Sequence, residues 1–156
     1  MAHLKEGDPA PLFTGKDQNG NEISLSKLKG KKVILYFYPK DNTPGCTAEA
    51  CNLRDNYSGL KSKGFEIIGV SADNEKSHIN FIGKYNLPFN LITDPEKSIL
   101  KAYDAWGKKS LYGKIFNGIL RKTFVIDEKG IIIKILDKVD TRNHSQQIME
   151  ALKVNG

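Results

Sequence analysis

Cysteine is scarce in this chain: Cys46 and Cys51 are the only two in 156 residues. Two thiols this close together cycle between redox states in a reducing compartment more readily than they staple a fold. Histidine is scarce as well. His3, His78 and His144 have no ligand spacing with the cysteines, so no metal and no other cofactor is expected. The three histidines read as surface residues. No apolar run approaches the length of a membrane span. The opening residues, from Met1 to Pro9, lack the apolar core of a signal peptide. The expectation is a cytoplasmic chain with no membrane partner. Linkers, repeats and low-complexity segments are also missing, and the length suits a single domain over residues 1–156 with a sizeable core. The net charge is +6, but the lysines are dispersed. Their densest group is Lys27, Lys29, Lys31 and Lys32 around Gly30. With no basic helix or aromatic ladder beside it, that group reads as a solvated face, and no nucleic acid is expected.

The most informative segment runs from Tyr36 to Cys51: Tyr-Phe-Tyr-Pro-Lys-Asp-Asn-Thr-Pro-Gly-Cys-Thr-Ala-Glu-Ala-Cys. An apolar strand enters a Pro/Gly loop, and the loop feeds a helix. Thr43 suits the N-cap and Pro44 the first helical position, which puts Cys46 third. Free backbone N–H groups there point toward the side chain. A cysteine attacks as its thiolate, and helix N-termini and nearby cations favour that form. The Thr43 hydroxyl can cap the helix, bond the Cys46 sulfur or orient a substrate oxygen. The segment also admits a plainer reading, a buried cysteine behind an ordinary cap.

On a continuous helix, residues five apart lie about 140° apart around the axis, with a rise of about 7.5 Å. Their Cα atoms are then roughly 8–9 Å apart, and a disulfide needs less than about 7 Å. Cys46 and Cys51 therefore cannot bridge while the helix is intact. If they pair, the first one or two turns must unwind. The alternative for Cys51 is a small apolar residue packed under the helix.

The apolar patterning predicts an opening hairpin, with Pro11 to Thr14 and Glu22 to Leu25 flanking a turn near Asn19-Gly20. Lys32 to Tyr38 reads as a central strand covered on both faces. Cys46 to Lys63 reads as one helix ended by Gly64, and Phe65 to Ser71 as a second buried strand. Asp73 or Asn74 caps a helix to Tyr85 with Ile79, Phe81 and Ile82 inward. A strand follows at Phe89 to Thr93, then a short helix from Pro95 to Tyr103. Ala105 to Gly118 reads as a loop holding Trp106, Tyr112 and Phe116, either an aromatic wall near the site or a loop pinned by one buried ring. Thr123 to Ile126 and Ile131 to Leu136 form a hairpin, and Asn143 to Lys153 the last helix. Strands separated by helices pair in parallel and the late hairpin is antiparallel. The fold class is α/β, a mixed central sheet flanked by helices, thioredoxin-like with an N-terminal β-hairpin extension. Cys46 then lies at the carboxyl end of a central strand, where such sheets carry ligand sites.

Pro39, Thr43 and Cys46 reproduce the spacing proline, three residues, threonine, two residues, cysteine, which resembles the peroxiredoxin active-site pattern. The stretch from Gly45 to Cys51 is similar to the bacterioferritin comigratory protein subfamily, also called peroxiredoxin Q. So are Trp106-Gly107-Lys108-Lys109, Tyr112-Gly113-Lys114 and the run from Gly118 to Asp127. The resemblance spans about residues 4–153. It implies a thiol peroxidase acting on hydrogen peroxide and organic hydroperoxides. Cys46 would become a sulfenic acid, and Cys51 would resolve it as an intramolecular disulfide reduced by a thioredoxin-type dithiol. It further implies that Pro39 shields the cysteine, Thr43 contacts the peroxide and Arg121 stabilises thiolate and peroxide. Glu49 would position Arg121. An intrachain disulfide needs no second subunit, and a monomer is expected.

Elementary chemistry supports these assignments. Fixed donors aimed at the oxygen that gathers charge lower the barrier, and Arg121 offers a permanent forked cation. Glu49 shares a helix face with Cys46 and needs a cation to neutralise it. Without the motif, Arg121 reads as a strand-end surface residue and Glu49 as a first-turn acid. A thiol–disulfide oxidoreductase on the same fold would carry Cys-x-x-Cys. A redox-sensing holdase would oxidise alike but turn over slowly. A sulfenic acid waiting on a slow helix would be over-oxidised.

Overall fold

The computed structural model describes residues 3–153; Met1, Ala2 and residues 154–156 lie outside the described residues. The order is β1 (Thr14–Lys16), β2 (Glu22–Ser24), a 3₁₀ turn (Leu25–Leu28), β3 (Lys32–Phe37), α1 (Pro44–Asp55), α2 (Tyr57–Ser62), β4 (Phe65–Ser71), α3 (Glu75–Tyr85), β5 (Asn90–Thr93), α4 (Ser98–Ala102), β6 (Trp106–Leu111), β7 (Lys114–Ile119), β8 (Lys122–Ile126), β9 (Ile132–Leu136) and α5 (His144–Lys153). Seven strands form one sheet in the order β2-β1-β5-β4-β3-β8-β9. β3, β4 and β5 are parallel, and the flanking strands are antiparallel. This is the mixed sheet of a thioredoxin-like fold.

The continuous apolar run of β3 follows from burial on both faces. Val33, Leu35 and Phe37 join a core with Ile99, Leu100 and Tyr103 around α4. Ile34, Tyr36 and Tyr38 join the opposite core, beneath Cys46, Ala50 and Leu53 of α1, Phe81 of α3 and Ile148 of α5. Gly69 in β4 makes room for this second layer: a Cβ there would lie 2.9 Å from Tyr36 Cζ and 2.7 Å from Leu91 Cδ2.

Five expectations need correction. Residues 105–118 are not a loop: β6 and β7 pair antiparallel from Trp106↔Ile119 to Leu111↔Lys114. Tyr112 and Gly113 both take positive φ, 53° and 78°, the two-residue turn that suits a hairpin's twist. The helix expected over residues 46–63 is broken at Asn56, whose φ and ψ of −110° and 7° leave the helical region. Ile79 points outward, 49% exposed, and His78 takes the inward position beside Phe81. His78 and His144 are fully buried, because each finds polar partners from distant parts of the chain, whereas His3 is exposed. The first strand also begins at Thr14 rather than Pro11.

Candidate active site

β3 delivers the chain to a loop at its carboxyl end, and that loop is tightly held. Tyr38 O–H donates to Asp41 Oδ1 at 2.6 Å, Ser77 Oγ donates to Asp41 Oδ2 at 2.8 Å, and His78 Nδ1 lies 2.6 Å from the same oxygen. Asp41 N–H donates to Asp73 Oδ2 at 2.8 Å. Partly buried Pro39 sits within this loop. Thr43 is the N-cap by its extended backbone, and Pro44 opens α1. The Thr43 hydroxyl makes no cap bond; it donates to Lys40 O at 2.9 Å.

Cys46 is then the third helical residue, 1% exposed. Arg121, in the short connection between β7 and β8, donates from Nη2 to Cys46 Sγ at 3.4 Å and from Nη1 to Glu49 Oε1 at 2.7 Å. Gly45 lets the guanidinium come this close: a Cβ there would lie 3.3 Å from Arg121 Nη2. Burial works to lower the Arg121 pKa, but Cys46 and Glu49 outweigh it and raise it, so the cation is permanent. Burial pushes the Glu49 carboxyl up to about 7 even though Arg121 pulls it down. Cys51 is a free, half-buried cysteine farther along α1. The geometry thus brings Cys46, Glu49 and Arg121 together across 75 residues of chain.

Sequence reasoning missed the layer behind this trio. His144, at the start of α5, lies with Nε2 2.7 Å from Thr123 Oγ1 and 3.5 Å from Glu49 Oε2. Nothing local signals this, since Thr123 and Glu49 lie far from His144 in the chain. Trp106 is partly buried against the α4 side of the core, with Lys97 Nζ 5.3 Å above its ring. Tyr112 and Ile115 at the hairpin tip are exposed.

A buried thiol at a helix start, held beside a forked cation at a strand end, is an arrangement suited to a thiol-dependent peroxidase. Comparison with known proteins agrees. The AhpC/TSA family model matches residues 6–135. The chain is 44% identical to peroxiredoxin Bcp of Bacillus subtilis, covering 96% of each chain. It is 40% identical to peroxiredoxin Bcp of Escherichia coli K12, covering 98% of each. A solved structure of the Xanthomonas campestris bacterioferritin comigratory protein, described with alkyl peroxide reduction activity, superposes with a TM-score of 0.85 at 33% identity. That match covers 92% of this chain and 91% of the other. The chain belongs to the AhpC/TSA family of peroxiredoxins, on its Bcp (peroxiredoxin Q) branch.

Proposed function

We propose that this peroxidase works through Cys46 as the attacking thiol and Cys51 as the resolving one. Hydrogen peroxide and organic hydroperoxides are its substrates, a thioredoxin-type dithiol is its reductant, and residues 1–156 act as one monomeric domain. The observation that carries the reading is Arg121, which sets a fixed positive charge 3.4 Å from the Cys46 sulfur. A charge fixed before the reaction stabilises the oxygen that gathers negative charge without reorganising. Pro39 shields the sulfur, the Thr43 hydroxyl swings from Lys40 O to the peroxide, and Glu49 holds Arg121 in place.

The resolving step needs α1 to open at its N-terminal end only. Two anchors favour that. Asn52 Nδ2 donates to Arg142 O at 3.0 Å, and Asn52 Oδ1 accepts from Ser145 N–H at 2.7 Å. Arg54 Nη1 donates to Tyr85 O at 2.8 Å. Both anchors lie beyond Cys51, so the turns between the two cysteines can unwind while the rest of α1 stays docked. The organic hydroperoxide assignment draws on the activity described for the Xanthomonas relative.

The test is intact mass and peptide mapping of reduced protein after one equivalent of hydrogen peroxide. Loss of two hydrogens with Cys46 linked to Cys51 is expected. Oxygen added at Cys46 without a bridge would remove Cys51 from the cycle, and no change would overturn the reading. Cys46→Ser should abolish peroxide consumption. Cys51→Ser should keep the first oxidation but pass to sulfinic acid more readily.

A further inference from the structure

Arg121 is one cation facing two groups that can each become anions. Cys46 and Glu49 are both buried, 1% and 0% exposed, and each accepts from a different nitrogen of the same guanidinium. A second buried anion there would go without a counter-charge, at high cost away from water. The trio is neutral only when one of the two acids keeps its proton.

Hydrogen-bond geometry behind Glu49 marks where that proton fits. Glu49 Oε2 is buried without a partner. Facing it at 3.5 Å is His144 Nε2. The ring's tautomer follows from Gln147, whose Nε2 donates to Lys138 O at 2.6 Å and whose Oε1 accepts from Asp140 N–H at 2.9 Å. With the amide so oriented, Gln147 Oε1 faces His144 Nδ1 at 2.9 Å, and Nδ1 carries the hydrogen. In the neutral ring Nε2 is bare. It accepts from Thr123 Oγ1 at 2.7 Å and has no hydrogen to offer Glu49. An ionised Glu49 leaves Oε2 a buried anion with no donor, whereas protonation removes that charge.

The titration directions agree. Burial, then Arg121, lowers His144 to about 4 against the pull of Gln147 and Asp140, which keeps the ring neutral. Burial raises Glu49 to about 7. The remaining titratable neighbour is Tyr36 on β3, raised well above its ordinary value by burial, then by Glu49 and Cys46, so it stays neutral.

We infer that Glu49 is the internal acceptor of the proton Cys46 gives up, with His144 as the positioning residue that favours the protonated carboxyl. This rests on Cys46 being the attacking thiol. Cys46–SH and Glu49–COO⁻ become Cys46–S⁻ and Glu49–COOH. The thiolate attacks the terminal oxygen of ROOH; an S–O bond forms, the O–O bond breaks, and RO⁻ departs. RO⁻ takes the proton held by Glu49 and leaves as ROH. Sulfenic acid and carboxylate remain, and Arg121 again faces a single anion.

The test counts protons. In a Cys51→Ser background the reaction stops at the sulfenic acid. One equivalent of hydrogen peroxide is added in weak buffer with a pH-indicator dye, at about pH 8, above the Glu49 value of about 7, so that the carboxyl keeps its proton only while a thiolate shares Arg121. No net uptake is expected with Glu49 present. With Glu49→Gln, a reactive thiolate must draw one proton per sulfenic acid from solvent. Uptake of one proton in both proteins, or of none in both, overturns the inference. An infrared carboxylic-acid band lost on oxidation, and absent from the Glu49→Gln protein, is the second readout; a band that oxidation leaves unchanged also overturns it. His144→Gln supplies a donor to Oε2 and should give uptake between zero and one; zero would remove His144 from the device. Peroxidase activity surviving in Cys46→Ser would instead sink the functional reading beneath it.

Discussion

Two carboxylate–imidazole pairs are buried near the start of α1, and they are built differently. In the Asp41–His78 pair every polar atom is engaged. Oδ1 accepts from Tyr38, Oδ2 accepts from Ser77 and lies 2.6 Å from His78 Nδ1, and His78 Nε2 reaches Ile92 O at 3.1 Å. In the Glu49–His144 pair the closest approach is 3.5 Å and one carboxylate oxygen has no partner. Full satisfaction fixes one geometry and makes the first pair a clamp for the loop that presents Cys46. Incomplete satisfaction leaves the second pair room for one more proton. Burial is common to both; what separates structure from chemistry here is whether the last acceptor finds a donor.

Breaking the clamp should have the largest effect. Asp41→Ala leaves Tyr38, Ser77 and His78 without their buried acceptor, and a cost of about 3–5 kcal/mol is expected in urea unfolding. A cost under about 1 kcal/mol, the size of a single exposed contact, would mean the loop is held by something else. Arg121, the cation that only the second pair possesses, comes next. Arg121→Gln should lower kcat/KM for peroxide by about 10²–10³, the usual effect of removing one preorganised donor. Steady-state kinetics with an unchanged unfolding midpoint would place the loss in the chemistry.

The pH dependence of stability sharpens the contrast further. Glu49 is raised from 4.5 to about 7, so its contribution is complete below about 4.5 and disappears as pH rises through about 7. His144 is lowered from 6.5 to about 4, so its contribution is complete above about 6.5 and disappears as pH falls through about 4. Between about 4.5 and 6.5 the two slopes oppose each other. Glu49→Gln should leave stability rising with pH over that interval, and His144→Gln should leave it falling. Parallel curves for the two variants would show that the groups do not titrate as described. The smallest effect is spectroscopic: one equivalent of peroxide should shift the His144 ring resonances and leave those of His78 in place.

Much of this architecture is legible in the residues themselves. The Val33 to Phe37 run and the Phe65 to Ser71 run read as doubly covered strands, and Pro39, Thr43 and Cys46 point to the candidate site through their resemblance to the peroxiredoxin pattern. The β6–β7 hairpin hid because most of β7 is exposed, so no buried face leaves a periodic pattern; Tyr112-Gly113 was its one local signal. His78 and His144 were misread for a different reason. Their partners lie 37 and 21 residues away, at Asp41 and Thr123, and no window along the chain brings them together. The break at Asn56 had a hint in Asn56 and Gly59, both poor helix formers, and neither outweighs a run of amphipathic positions until α2 has to turn toward β4.

The first turns of α1 would also act as a clock. In the proposed cycle the sulfenic acid waits for a short stretch of α1 to fray, and that waiting time is a property of the helix rather than of the oxidant. A second peroxide arrives at a rate proportional to its concentration. The two rates cross at one particular concentration: below it the enzyme recycles, above it the thiol is lost. In that cycle, stabilising the turns between Cys46 and Cys51 would lower the crossing point and loosening them would raise it, so the tolerance of this catalyst to its own substrate would be set by a stretch of helix rather than by the groups that touch the peroxide.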